Sequence, residues 1–275
     1  MRTLAGWLAI VTLVLGTLTL CIRFLEPRLA FFPRPGEQQT PKDFGVPFTT
    51  HTIPTADGQR LHAWHLPHKN PHARVVYFHG NAGNLSVWAD VFVGVWRQNF
   101  EVIAVDYRGY GLSTGQPSES GLYQDVEATI AFVHDRLPPI EAPLVYWGRS
   151  LGTPMAAYAA TRRPPDGIVL ESGFPDLRAV VESNRAMWFL SWFMSYSFST
   201  ATWMASVQQP TLVLHGDQDR VVPHAIGQRL YEGLPGPKQF VTLPGLDHND
   251  DIPEAWPMYW DVVKRFAASL RQQRH

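Results

Sequence analysis

From residue 48 onward the chain alternates short apolar runs with segments whose apolar residues recur at helical spacing. RVVYFHG (74–80), EVIAVDY (101–107), LVYWG (144–148), GIVLES (167–172), TLVLHG (211–216) and KQFVTLPG (238–245) predict strands. Between them, 86–97 predicts an amphipathic helix, and 119–137 places Leu122, Val126, Ile130, Val133 and Leu137 on one helical face. A small-residue helix is expected from about Leu151. A closing helix is expected from about Pro257, because proline suits a helix's first position. Residues 48–67 read as two strands around Asp57-Gly58, a tight-turn dipeptide. Runs that are apolar throughout and separated by helices predict a mostly parallel sheet covered on both faces, an α/β fold.

The amino-terminal pattern is different. Leu4 to Ile22, LAGWLAIVTLVLGTLTLCI, contains no charge over 19 residues. As a helix it is about 28 Å long, close to the hydrocarbon thickness of a bilayer. A cleaved signal peptide is the competing reading, but Leu18 and Leu20 poorly suit the small-residue positions before a cut at Cys21. Residues 1–23 are therefore expected to form a retained single-pass transmembrane anchor. Arg23, Arg28 and Arg34 after it, against Arg2 before it, tilt the positive-inside count toward a cytoplasmic catalytic domain and leave the membrane side open. Residues 24–47 carry five prolines and little periodicity. They read either as an interfacial segment, through Phe24, Leu25, Leu29, Phe31 and Phe32, or as a plain linker. A chain beginning near Pro41 is accordingly expected to keep a working catalytic domain, 48–275.

Composition narrows the partners. The 275 residues, 45% of them hydrophobic, suffice for one large core. The net charge of -1 gives no pointer to nucleic acid, and the lone Cys21 excludes an intrachain disulfide. A charged fraction of 17% with ten tryptophans fits a surface partly turned to lipid or an apolar ligand. Nothing in the sequence decides the oligomeric state.

In a sheet of this kind ligands bind beyond the carboxyl ends of the strands. The polar residues there are His79-Gly80-Asn81, Asp106, Ser150, Glu171-Ser172, Asp217, Asp219 and His248. Ser150 lies in Gly148-Arg149-Ser150-Leu151-Gly152, between a strand and a helix. A turn completed within two residues forces the serine into a strained backbone conformation and crowds its neighbours, which the glycines tolerate. It also leaves the Leu151 amide free at a helix start, aimed where an oxyanion would develop.

The set YFHGNAGN (77–84), VDYRGYGLSTGQP (105–117), GRSLG (148–152), HGDQDRVVP (215–223) and LPGLDHND (243–250) resembles the membrane-anchored, BEM46-like branch of the α/β-hydrolase superfamily. The apolar amino terminus with its LAFFP segment matches that branch as well. One departure is Thr153-Pro154, where the branch has small residues; Pro154 falls in a helix's first turn, where a missing N–H costs little. The resemblance implies a nucleophile at Ser150, a base at His248 and an orienting acid at Asp219. Asp217 is left as a turn residue. It also implies an oxyanion hole made by the amides of Leu151 and of a residue in the turn 79–81, Asn81. No cofactor is implied.

Four further features receive expectations. His79 reads as structural beneath the oxyanion loop, and Asp106 with Arg108 as ties for the loop Gly109–Gly111. The histidines at 62, 65, 68 and 72 do not form a metal site, since 62 and 65 face opposite sides of a strand. Segment 186–204, inside a small cap at about 174–206, is strongly aromatic. Its Trp188, Phe189, Trp192, Phe193 and Trp203 are expected to line an acyl pocket or dip into the membrane, or else to pack on the sheet. The whole is expected to cleave a small-molecule or lipid-like ester or thioester. The alternatives are a serine peptidase and a non-catalytic membrane-tethered binding protein.

Overall fold

A computed structural model describes residues 2–252 and 256–273; Met1, the first residue of the expected anchor, lies outside them. The chain opens with α1 (Arg2–Ala30) and a two-residue strand β1 (Phe32–Pro33). The hairpin β2 (Thr49–Pro54) and β3 (Arg60–Leu66) follows, then β4 (Arg74–Phe78), the short β5 (Ala82–Gly83), α2 (Ala89–Arg97), β6 (Glu101–Val105) and α3 (Glu119–Asp135). Next come β7 (Leu144–Arg149), α4 (Gly152–Arg162) and β8 (Gly167–Glu171). The cap holds α5 (Leu177–Ser183), a 3-10 turn over Trp188–Trp192 and α6 (Thr200–Met204). The chain closes with β9 (Thr211–Gly216), α7 (His224–Glu232), β10 (Lys238–Leu243) and α8 (Pro257–Gln273).

Eight strands form one sheet in the order β10-β9-β8-β7-β4-β6-β3-β2. β3 pairs antiparallel with β2 and β6, and the other pairings are parallel. The period of two along each strand feeds two cores. Val76, Phe78, Tyr146 and Ile168 point into one with α3 and α4, and Val75, Tyr77, Trp147 and Val169 into the other with α2 and α8. Both faces being covered explains why these strands read as unbroken apolar runs. The hairpin turns over Thr55–Gly58, where Gly58 takes φ +85°.

The amino-terminal boundary differs from the expectation. α1 does not end at residue 23 but runs to Ala30, with Pro27 inside it, and over Gly6–Ala30 it is long and apolar enough to cross a membrane by length and composition. Residues 31–44 are not a free linker. β1 pairs in parallel with β5, Pro35 bridges Gly111, and the amides of Gln38 and Gln39 donate to the Ser86 hydroxyl. Phe31 is buried in the core against Tyr196 and Phe198, with ring centroids 5.6 and 5.9 Å away. The long-range partners explain the misreading: a segment whose structure comes from strand pairing and one buried ring has no local period to show.

A chain beginning near Pro41 would therefore lack a core residue and a strand. Phe31→Ala in the full chain is expected to cost about 3–5 kcal/mol, read as a lowered urea midpoint at unchanged m in detergent. An unmoved midpoint would restore the linker reading.

Candidate active site

Ser150 follows β7 in the middle of the sheet, with φ +53°. The cause is contact between backbones. A Cβ at 148 would stand 2.1 Å from the Gly152 carbonyl oxygen, and one at 152 would stand 1.9 Å from that of Phe78. The Ser150 amide donates to Glu171 O at 2.9 Å, and Thr153 returns its amide and hydroxyl to Ser150 O at 2.9 and 2.7 Å. The turn is thus held from β8 and from the first turn of α4. Pro154 sits in that same turn, where its missing N–H removes no helical bond.

Three side chains from three strand ends meet here. His248 Nε2 lies 2.9 Å from Ser150 Oγ, and His248 Nδ1 lies 2.7 Å from Asp219 Oδ2. Asp219 Oδ1 accepts the amides of Val221 and Val222 at 2.9 and 2.7 Å. Burial pushes the Asp219 carboxyl up, but the hydrogen bonds from His215 and His248, the imidazole charge and the Val222 amide outweigh it. The carboxyl is held well below the usual carboxylate range. It is therefore ionised wherever a neutral imidazole can act as a base. Asp217 takes a different place: its Oδ1 accepts the Gly245 amide at 2.7 Å, closing a turn.

Asn81 and Leu151 both line the cavity above Ser150, and among the described residues neither backbone amide has a hydrogen-bond partner. The Asn81 side chain is fixed on both sides. Tyr110 donates to its Oδ1 at 2.9 Å, and its Nδ2 donates to Ala30 O at 2.6 Å. An aligned hydroxyl, imidazole and carboxylate beside two free amides can activate the hydroxyl and accept negative charge on an attacked carbonyl.

That cavity measures about 550 Å³. Its cap wall includes Leu177, Val180, Met187, Leu190, Met194 and Phe198. The aromatic residues expected there are elsewhere. Trp188, Phe189 and Trp192 are exposed, the last at 67%, and Phe193 does not reach the cavity. Trp203 packs on Tyr123 and Tyr158, donating its Nε1 to the Tyr123 hydroxyl at 3.2 Å. The cap turns flexible methionines and leucines inward, so of the three alternatives for these five aromatics the pocket wall is the one that fails. A larger hollow of about 810 Å³ lies at the amino ends of the strands, beside His68–Pro71, remote from Ser150.

The supporting residues depart in part from expectation. His79 is fully buried with its Nδ1 2.7 Å from Gly80 O. Burial depresses its pKa against the pull of Asp106 and Gly80, which leaves a neutral imidazole beneath the loop. Asp106 packs against Gly111, where a Cβ would stand 2.0 Å from its Oδ2, while the Arg108 side chain ties Asp57 and Asp125 together. His62 lies 3.7 Å from Asp106, just after β6, and His65 lies 2.6 Å from Glu101, within β6. Sequence reasoning missed Arg149. Its Nη2 donates to His248 O and Asp250 O at 3.0 and 3.2 Å, and its guanidinium lies over Trp88 and 3.6 Å from Glu171. It thereby clamps the histidine loop to the serine turn. A charged residue directly before the serine of a turn between two buried elements was the available signal.

Gly152→Ala is expected either to unfold the protein or to move Ser150. A denaturant midpoint and fluorophosphonate labelling, measured together, should show at least one severe loss. Wild-type values for both would mean that the Phe78–Gly152 contact is not what shapes the turn.

Comparison with known proteins agrees with this fold. The Hydrolase_4 family, described as serine aminopeptidase, S33, matches residues 69–204. An uncharacterised Mycobacterium tuberculosis protein, Rv2307c, is 32% identical over 94% of this chain and 92% of its own length. The Saccharomyces cerevisiae protein YNL320W, described as an uncharacterised membrane protein, is 31% identical over 82% of each chain. The Pyrococcus furiosus esterase Pf2001 is similar in fold, with a TM-score of 0.70 and 18% identity, covering 88% of this chain and 98% of that one. With relatives of that identity along nearly its whole length, the chain belongs to the Hydrolase_4 family of α/β hydrolases.

Proposed function

We propose that the protein is a membrane-anchored serine hydrolase cleaving carboxylic esters or thioesters through an acyl-enzyme. The observation that carries this reading is the series Ser150 Oγ, His248 imidazole and Asp219 carboxylate, at 2.9 and 2.7 Å, opening onto an apolar cavity. Ser150 Oγ attacks the substrate carbonyl carbon and passes its proton to His248 Nε2. Asp219 steadies the resulting imidazolium through Nδ1. The carbonyl oxygen, now an anion, is received by the amides of Leu151 and Asn81. Collapse expels the alcohol or thiol, which takes the proton from His248. Water, deprotonated by His248, then attacks the acyl-serine, and collapse releases the acid while Ser150 Oγ takes the proton back from His248.

The family description also raises an aminopeptidase. Such an enzyme must hold a substrate ammonium, and among the described residues lining the cavity the one carboxylate is Glu26. Its oxygens accept the backbone amides of Ser195 and Tyr196. This favours an uncharged acyl group. Anchoring rests on the length and composition of α1 and on the description of the yeast relative.

Two measurements test the reading. Fluorophosphonate labelling is expected in the wild type and absent in a folded Ser150→Ala protein. Turnover of a short p-nitrophenyl ester should fall roughly 10⁴-fold in Asp219→Asn, by the behaviour of serine proteases, and far less in Asp217→Asn. Labelling that survives Ser150→Ala would defeat the proposal, and the reverse ranking of the two aspartates would move the orienting acid. For the anchor, the full chain should stay with membranes through a carbonate wash; its release with an uncleaved amino terminus would refute membrane insertion.

A further inference from the structure

The cavity above Ser150 is closed on one side by α1. Ile22, Glu26, Leu29 and Ala30 lie along one stripe of the helix, at i, i+4, i+7 and i+8, and all four line the cavity. Leu29 is also 64% exposed, so it stands at the rim of the mouth as well as on the wall.

Glu26 breaks the apolar pattern of this stripe. It is 6% exposed, and a buried carboxylate must find strong donors. It finds them in one turn of the cap: the Ser195 amide at 2.8 and 3.0 Å, the Tyr196 amide at 2.9 Å and the Ser195 hydroxyl. Four residues later, the Ala30 carbonyl accepts from Asn81 Nδ2, and then β1 pairs with β5 next to the oxyanion loop. The end of α1 thus grips both walls of the site, the cap through Glu26 and the oxyanion loop through Ala30.

We propose that the last two turns of α1 are the specificity-determining wall of the acyl pocket, with Leu29 and Ile22 meeting the acyl chain. Glu26 is a positioning residue that latches the cap to this wall. The inference rests on the serine hydrolase reading and deepens it, because the helix that tethers the protein also measures the substrate. An acyl group is then selected by the room between α1 and Met187, Leu190 and Met194.

The experiment uses the full chain in detergent micelles and p-nitrophenyl esters from acetyl to decanoyl. The readout is the ratio of octanoyl to acetyl kcat/KM. Each methylene buried in the transition state is worth roughly fourfold in rate. Leu29→Trp, by filling space for two or three methylenes, should lower the ratio on the order of 10- to 60-fold. Leu20→Trp, on an outward position of the same helix that is 71% exposed, should leave the ratio unchanged. Glu26→Leu should raise KM for the octanoyl ester while kcat is kept, and Glu26→Gln, which retains an acceptor, should do so less. A parallel melting curve separates this from loss of the fold. An unchanged ratio in Leu29→Trp, or a Glu26→Leu protein with a wild-type octanoyl KM, would overturn the inference while labelling of Ser150 persisted. No labelling of the unsubstituted protein would instead overturn the hydrolase reading, and the inference with it.

Discussion

Two backbone segments touch where no side chain fits, between the Phe78 carbonyl and Gly152 and between the Gly152 carbonyl and Gly148. This contact forces the Ser150 conformation and starts α4 directly beneath it. It also brings the end of β4 against the end of β7, so the loop carrying Asn81 and the turn carrying Leu151 share one cavity. The stored strain is opposed by burial on both sides, since β4 and β7 are central strands with two cores around them. A strained turn at a sheet edge would lack such support.

The sheet was largely legible in the chain because its cause is local. Buried parallel strands are apolar throughout, and the helices between them keep their period, so type and order follow directly. The juxtaposition of Ser150, Asp219 and His248 was legible for a related reason: each stands in a short loop with a recognisable motif. Asp219 and Asp217, two residues apart, could be separated only through a motif. In the structure one carboxylate caps the Val221 and Val222 amides while reaching His248, and the other closes a turn with Gly245.

What was not legible depends on distant partners. Arg149 acts on a loop 99 residues further along the chain, and Glu26 on a cap turn 169 residues away. Neither leaves a local pattern. The pocket-lining reading of the cap aromatics failed for another reason. Composition reports that a segment is apolar but not which side of an irregular turn faces inward, and here Met187, Leu190 and Met194 do. The prolines of residues 24–47 left a plain linker open beside an interfacial segment, whereas Pro27 lies within a helix and Pro33 within a strand pair.

The grip on the end of α1 has a mechanical meaning. A helix joined to a globular fold by a flexible segment can spin about its own axis, and the fold beneath it samples every heading. Here a carboxylate and a carbonyl on one face of the last turns, and a strand pair directly after them, hold the helix to the fold, so rotation of the helix is rotation of the whole sheet. Where such a helix is embedded in a bilayer, the mouth of the cavity keeps one fixed azimuth and one fixed height relative to the lipid headgroups. The protein then meets its surroundings as a keyed shaft and not as a tethered ball.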